Sequence, residues 1–274
     1  MNNQLPSVPT AIVAEESSGS NVFTRRWPLL AAVAFVVLLV VAQFIVGATP
    51  PELGATGKQV VAYYSEHGNT IRLSVWLMAI ALLPFGALVG CLRRQVRGIG
   101  RDMLLLGATA YVIEATIWKW LSASLTLHPS QLDANTARIL ADIMAYAGPV
   151  MTIGVILLAA PLAWASLRHE NNAPSWFRWL TVVLVIDQAV ETVTLLGLSG
   201  FIAPGGMMNF PVGAGLFLLW VIACGAAFPA DSVARVPAVD GREPRRTARG
   251  GRHDSSSSLP STAAPSIVRE GDLR

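Results

Sequence analysis

The sequence predicts an all-α, polytopic membrane helix bundle with six transmembrane helices and both termini in the cytoplasm. Three observations predict it. Hydrophobic residues make up 53% of the chain and charged residues only 14%, far from the soluble average. The apolar tracts are about 20 residues long, which is the length that crosses a bilayer as a helix. The basic residues gather on one side of these tracts, as they do in membrane proteins.

The apolar tracts divide the chain into a tail at 1–24, a transmembrane domain at 25–230 and a second tail at 231–274. They are apolar on every face, whereas the strands of membrane barrels alternate polar and apolar over about 10 residues. Helices are therefore predicted for all of them. The six spans lie at about 27–47, 73–92, 103–127, 139–167, 177–198 and 211–229.

The flanking charges predict the direction of each span, because Lys and Arg accumulate on the cytoplasmic side. Arg25 and Arg26 precede the first span, four arginines lie between the second and third spans, and eight follow the last one. The connections on the opposite side carry only Lys58, Arg72 and Arg138. Both termini are therefore predicted to be cytoplasmic.

The first span raises the alternative of an export signal, since paired arginines precede its apolar run, as in twin-arginine signals. The run is longer than the about 7–15 residues usual for a signal peptide, and no A-x-A-like site follows it. Five more spans follow instead. We therefore predict an uncleaved anchor.

The two tails are polar and rich in Pro and Ser, a composition that predicts disorder. The basic cluster from Arg242 to Arg252 in the second tail is either simply solvated or in contact with anionic lipids, at about 1 kcal/mol per basic residue near the surface. No folded basic surface or aromatic platform accompanies these arginines. We therefore predict no nucleic-acid partner.

Two connections on the outer side carry further signals. The stretch ATGKQVVAYYSEHGN predicts a short interfacial helix with Thr56 as its cap and Gly68 as its stop. It acts either as a brace or as a lid or partner contact. The stretch SGFIAPGGMMNFPVG has no charge and several helix breakers, which predicts a loop that dips into the bilayer or packs on the outer helix ends.

Motif searches give no positive support for catalysis, and we predict no cofactor and no metal. Cys91 and Cys224 are too few for a disulfide framework. All four histidines fall in connections or tails, which argues against haem held inside the bundle. The GxxxG pattern from Gly86 to Gly90 more often seats a neighbouring helix than a second subunit in a chain with this many spans.

Ionisable residues inside predicted spans are the strongest functional signal. Such residues are rare in membranes and usually face the bundle interior, so each is a functional candidate. Glu114 and Lys119 lie in the third span, Asp142 in the fourth, and Asp187 and Glu191 in the fifth, with Gln188 beside them. The predicted ligand- or ion-binding residues are Glu114, Lys119, Asp142, Asp187, Gln188 and Glu191.

These residues allow a structural interpretation and a functional one. If the third and fifth spans are neighbours, helical rise puts Lys119 level with Glu191 and Glu114 level with Asp187. Lys119 and Glu191 would then form a buried ion pair that pins two helices, with Glu114 protonated and hydrogen-bonded to a neighbour. Asp142 lies near the outer end of its span, where it either reaches headgroup water or begins an access path toward Glu191.

The functional interpretation starts from Asp187 and Glu191, which are four residues apart and therefore share one helical face. The acids outnumber the single base, and surplus carboxylates in a membrane interior require bound protons or a cation. A proton- or cation-coupled site has this pattern. A polar pocket for an amine-bearing or hydroxylated ligand has it as well.

The stretch KQVVAYYSEHGNTIRLSVWLMAIALLPFGALVGCLRRQVRG combines a Tyr-rich outer segment, a span with Gly and Pro, and an arginine hairpin. It resembles a recurrent pattern in uncharacterised six-span membrane proteins of actinobacteria. The resemblance covers the second span and its flanks. It implies a six-helix fold in a bacterial inner membrane, and it assigns no functional residues.

Two function classes follow from the sequence. We favour a small transporter or a ligand- or proton-coupled membrane protein that uses Glu114, Asp187 and Glu191. The alternative is a non-catalytic accessory or scaffold protein, in which the buried charges form a structural ion-pair network. In that case the loops and tail contact a membrane-protein partner.

Overall fold

The computed structural model of the chain describes residues 20–197, 200–204 and 206–229. The first helix begins at Ser20, so the predicted N-terminal tail of residues 1–24 is too long by five residues. The rest of that tail, the C-terminal tail at 231–274 and the cluster from Arg242 to Arg252 lie outside the described residues.

The described part of the chain is helical and contains no strand. A 3₁₀ turn, Thr192–Leu196, follows the sixth helix, and a π-helical turn, Met208–Ala214, leads directly into the seventh. The α-helices are α1 (Ser20–Phe44), α2 (Gly57–Glu66), α3 (Gly68–Leu92), α4 (Ile99–Ser124), α5 (Ala134–Leu167), α6 (Ser175–Glu191) and α7 (Gly215–Ala227).

Four stretches are long and apolar enough to cross a membrane: Arg26–Phe44, Gly68–Gln95, Ala134–Leu167 and Ser175–Leu196. Their outward faces carry large apolar side chains, with Leu83 at 73% and Ile139 at 59% exposure. Water-soluble surfaces rarely expose apolar area on this scale. The fold is therefore that of a helical membrane protein. The third predicted span corresponds to α4, which is less apolar because it carries Glu114 and Lys119. The last predicted span is shorter, since its apolar stretch is Pro211–Ala227.

The sixth helix ends earlier than the sequence predicts, at Glu191 rather than near residue 198. The reason lies in the threonines that follow. The Thr192 hydroxyl donates to the Ala189 carbonyl at 2.7 Å, and the Thr194 hydroxyl donates to the Glu191 carbonyl at 2.7 Å. Threonine hydroxyls compete with the helical hydrogen-bond pattern in this way. The chain tightens into the 3₁₀ turn as a result.

The core is a chain of aromatic rings contributed by four helices. Phe35 of α1 packs on Phe85 of α3 with ring centroids 4.9 Å apart. Tyr111 of α4 lies 5.1 Å from both Phe85 and Phe217 of α7. The fully buried Trp220 donates its ring N–H to the Thr181 hydroxyl at 3.0 Å, which ties α7 to α6. These contacts bring α1, α3, α4, α6 and α7 into one bundle.

The helices α4 and α5 cross closely at Gly107 and Gly154. A Cβ at Gly107 would meet the backbone nitrogen of Leu158 and lie 2.7 Å from the Gly154 carbonyl oxygen. Only glycine allows two helix backbones to approach this closely. The GxxxG pattern of α3 has no such role, because a Cβ at Gly86 or Gly90 would have no atom within 4 Å.

The short helix α2 has the predicted cap. The Thr56 hydroxyl accepts from the Gln59 backbone N–H, and the Gln59 side chain accepts from the Thr56 backbone N–H at 2.8 Å. This reciprocal capping box satisfies free donors at the helix start. The predicted stop is wrong, since α2 ends at Glu66 and Gly68 already begins α3. Tyr64 is buried, with its hydroxyl 3.9 Å from the Met144 sulfur of α5.

We expect Gly107→Ala to lower the free energy of unfolding by about 1 to 3 kcal/mol, since overpacking at a tight contact costs this much. Gly86→Ala is the matched control, because the same added methyl group there meets open space. Thermal unfolding of both variants in detergent measures the difference. Equal stability of the two variants would contradict the close crossing.

We expect the stability of the protein to fall between pH 10 and pH 12 through Tyr64. Burial raises the pKa of Tyr64 from 10 to about 12, so the folded state holds the phenol proton more tightly than the unfolded state does. The stabilisation is fully present below pH 10 and is lost as the pH rises to about 12. Two pKa units correspond to about 2 to 3 kcal/mol.

Alkaline unfolding curves of the wild type and Tyr64→Phe measure this contribution. The variant has no phenol to ionise at this position, so its stability should change less over the same pH range. Parallel curves for the two proteins between pH 10 and pH 12 would show that Tyr64 does not carry the effect.

Candidate functional site

The Glu191 carboxyl group lies at the C-terminal end of α6, and the residue is only 3% exposed. Gln188 Nε2 donates to Glu191 Oε2 at 2.6 Å, and Asn209 Nδ2 donates to Glu191 Oε1. Both partners are neutral amides. Within the described residues, no Lys, Arg or His forms an ion pair with Glu191. The carboxyl group is therefore held by hydrogen bonds alone.

Asp187 joins the same arrangement one turn earlier in α6. Gln188 Nε2 also lies 3.3 Å from Asp187 Oδ2, so a single amide group contacts two carboxyl groups. These contacts bring Asp187, Gln188 and Glu191 together, as their spacing in the sequence predicts. Their role in binding a ligand or an ion stays a prediction. We call Asp187, Gln188, Glu191 and Asn209 the Glu191 cluster.

Two glycines make room for the Glu191 cluster. A Cβ at Gly213, in the π-helical turn, would collide with the Glu191 carboxyl group. A Cβ at Gly148, in α5, would lie 3.2 Å from the Asn209 Cγ and collide with its amide oxygen. The cluster thus fills a space left by the absence of side chains at these two positions. It is enclosed by α5, α6 and the π-helical turn.

The backbone is irregular on both sides of Glu191. The helix α6 gives way to the 3₁₀ turn directly after it, and the π-helical turn that carries Asn209 contains Pro211. Pro211 has no N–H to donate, so it favours the wider turn. π-Helical turns occur frequently at functional sites, and interrupted helices surround the binding sites of many transporters.

Lys119 lies elsewhere, and the predicted ion pair with Glu191 is wrong. Its Nζ donates to Gln43 Oε1 of α1 at 2.9 Å and lies 4.2 Å from the centroid of the Trp118 ring. The reason is that α4 and α6 are not neighbouring helices. The helix α4 packs mainly on α5, whereas α6 packs on α5 and α7. The prediction assumed that the helices carrying Lys119 and Glu191 are neighbours, and they are not.

Glu114 and Asp142 line a separate groove between α4 and α5, with a volume of about 550 Å³. Glu114 Oε2 is buried without a hydrogen-bond partner, so the predicted bond to a neighbour is absent and Glu114 is not paired with Asp187. Asp142 lies 3.8 Å from Arg138 in the preceding turn. The groove is lined by Glu114, Ile117, Trp118, Leu121, Ile139, Asp142, Ile143, Met144, Tyr146, Ala147 and Val150. It does not include Glu191, so an access path from Asp142 to Glu191 is not formed.

Asn209 is the member of the Glu191 cluster that the sequence prediction missed. It belongs to the uncharged connection SGFIAPGGMMNFPVG, for which the sequence predicts a loop that dips into the bilayer or packs on the outer helix ends. In the structure Asn209 of this connection lies against Glu191 at the end of α6, and both alternatives stay predictions. The available signal was a lone amide side chain among apolar and small residues in a segment between two spans.

The chain matches no family model, no curated protein sequence and no solved structure. The resemblance to six-span membrane proteins of actinobacteria therefore remains a prediction from the sequence.

A double-mutant cycle separates the observed contacts of Lys119 from the predicted ion pair. We expect Lys119→Met and Glu191→Gln to have additive effects on the free energy of unfolding, within about 0.3 kcal/mol. Lys119→Met and Gln43→Leu should instead be coupled by about 0.6 kcal/mol, the average for hydrogen bonds between membrane helices. Thermal unfolding in detergent measures both cycles. A coupling of several kcal/mol between Lys119 and Glu191 would contradict the observed contacts and support the predicted ion pair.

Proposed function

We propose that this protein is a small proton-coupled carrier of a bacterial inner membrane, in which Glu191 takes up and releases the proton. In this proposal the chain has six spans and both termini in the cytoplasm. The observation that carries the proposal is the buried Glu191 carboxyl group, held by two neutral amides without a cation. Asp187, Gln188 and Asn209 position this group.

The physical argument concerns the charge of Glu191. Hydrogen bonds from amides satisfy the carboxyl oxygens, but they do not neutralise a negative charge. An isolated charge in an apolar interior is expensive, and a second carboxyl group, that of Asp187, lies on the same amide. A bound proton removes this cost. A site whose occupancy by a proton changes its charge is suited to coupling a proton to another movement.

The arrangement of helices also supports six spans. The 26 residues of α4 are long enough to cross. Of its charged residues, Lys119 bonds to Gln43 inside the bundle and Glu114 lies in the groove with α5. The π-helical turn and α7 together extend from Met208 to Ala227, which is close to the about 20 residues that a span requires. The distribution of the basic residues in the sequence supports the proposal that both termini are cytoplasmic.

A scaffold function is the second candidate, and the contact of Lys119 favours it. This buried ammonium group bonds to Gln43 and so joins α4 to α1 without an acid. Such a contact holds two helices together, and it does not require the ammonium group to lose its proton. Under this alternative the Glu191 cluster also serves only to fix helices.

Proton flux in proteoliposomes tests the proposal. Protein is reconstituted with an entrapped pH-sensitive dye, and a potassium diffusion potential drives protons inward. We expect Glu191→Gln to lower the protein-dependent flux by about a hundredfold, the low end of what a positioned proton-transfer group contributes. Asp142→Asn is the matched control, since it removes a carboxyl group that is paired with Arg138 outside the cluster.

Thermal stability of the same variants separates the two candidate functions. A carrier predicts that Glu191→Gln loses flux while it keeps or gains stability, because the amide needs no proton to be neutral. A scaffold predicts the reverse, with lost stability and no protein-dependent flux in the wild type. Infrared difference spectra after a pH jump provide a direct readout, since the carboxylic acid band of the wild type should be missing in Glu191→Gln.

A further inference from the structure

The connection between α3 and α4 forms a cavity of about 580 Å³ that is rich in arginine. A 3₁₀ turn, Arg93–Gln95, starts the connection, and α4 begins at Ile99. The cavity is lined by Gly90, Arg93, Arg94, Val96, Arg97, Gly98 and Arg101. We call this segment, residues 90–101, the arginine hairpin. Four of the seven residues that line this cavity are arginines.

The backbone of the arginine hairpin is fixed rather than loose. Val96 is buried in the core of the bundle at 7% exposure, and a Cβ at Gly100 would lie only 2.8 Å from its Cγ1. Gly98 has a φ of +55°, a backbone conformation that favours glycine. The buried valine and the glycine turn together hold the ends of α3 and α4 at one place. The four arginines project from this frame.

Three arginines of the hairpin have no partner within the described residues. Arg93, Arg94 and Arg97 are exposed and make no hydrogen bond or ion pair there, while Arg101 lies 3.8 Å from Asp102. Four arginines near the ends of other helices do have contacts. They are Arg72 with Asn69, Arg138 with Asp142, Arg168 with the ring of Trp164, and Arg178 with His169. The unpaired groups of the hairpin therefore remain available for an anion.

We propose that the arginine hairpin binds the phosphate group of an anionic lipid. A guanidinium group matches phosphate with two parallel N–H bonds, and basic pockets at helix ends bind lipid headgroups. The hairpin connects the ends of two long helices, which places it at headgroup level. The start of α4, which follows the hairpin directly, carries the exposed apolar residues Ile99 (79%) and Met103 (37%). Exposed apolar side chains next to the arginines in the chain favour a lipid over a soluble phosphate.

The general excess of basic residues near span ends makes a different prediction. It requires only positive charge, so lysine would serve as well as arginine. A phosphate site built from guanidinium groups requires their fork geometry. Arg→Lys variants thus separate the two explanations, and they keep the charge that determines the orientation of the spans.

Native mass spectrometry of the full chain in detergent, titrated with phosphatidylglycerol or phosphatidylcholine, tests the proposal. We expect the wild type to bind one phosphatidylglycerol in preference to phosphatidylcholine. The triple variant Arg93→Lys, Arg94→Lys, Arg97→Lys should bind it about tenfold more weakly, since each lysine loses the paired N–H bonds. The matching glutamine variant should bind about a hundredfold more weakly, at about 1 kcal/mol per lost charge.

The control is the double variant Arg168→Lys, Arg178→Lys, which makes the same change at the end of α5 and in the first turn of α6 and should bind as the wild type does. The proposal is overturned if the triple lysine variant binds like the wild type, or if the two lipids bind equally. It is also overturned if no lipid binds. A final titration measures whether inorganic phosphate displaces the bound phosphatidylglycerol. Full displacement of the lipid at equimolar phosphate would identify a soluble phosphate as the ligand instead.

Discussion

The close crossing of α4 and α5 at Gly107 and Gly154 determines which ionisable groups of the bundle meet. Because the two backbones are in contact there, α4 presents one face to α5 and is separated from α6. Glu114 therefore lies in the groove with α5. The helix α5 contacts α6 as well, and it supplies Gly148 to the space occupied by Asn209. One pair of glycines thus divides the acids into two groups.

The backbone departs from a regular α-helix on both sides of the Glu191 cluster. Threonines after Glu191 end the helix early, and Pro211 widens the turn that carries Asn209. Both features weaken regular helix in a place where the bilayer demands satisfied backbone groups. Irregular backbone at such a depth is tolerated where it is buried in protein.

The sequence predicts correctly that the chain is helical and that it has apolar stretches of membrane-spanning length, four of which the structure shows. Length and hydropathy are the signals that carry this prediction. The sequence also predicts the Thr56 cap and the grouping of Asp187, Gln188 and Glu191, since both depend only on residues close together in the chain. Lateral neighbours are a different problem. Helical rise gives the depth of Lys119 and Glu191, but depth does not tell which helices touch.

Glycine patterns in the sequence do not predict which helices are in contact. The recognisable GxxxG pattern of Gly86 and Gly90 is not at a helix contact, since a Cβ added at either glycine would have no atom of the described chain within 4 Å. The crossing that matters uses one glycine from each of two helices, Gly107 and Gly154, and no motif marks it. Asn209 is similar, because its position against Glu191 depends on the path of a connection with turns and breaks. Such contacts follow from packing and are not encoded in local patterns.

The separation of base from acid inside the bundle bears directly on what Glu191 can do. An ion pair with Lys119 would hold both groups charged, and releasing either one would leave a buried charge without a partner, at about 3 to 5 kcal/mol. In the structure Lys119 instead bonds to the neutral Gln43, and Glu191 bonds to neutral amides. Neither group is held by an opposite charge, so a change in the protonation of Glu191, as proposed above, would break no ion pair between helices.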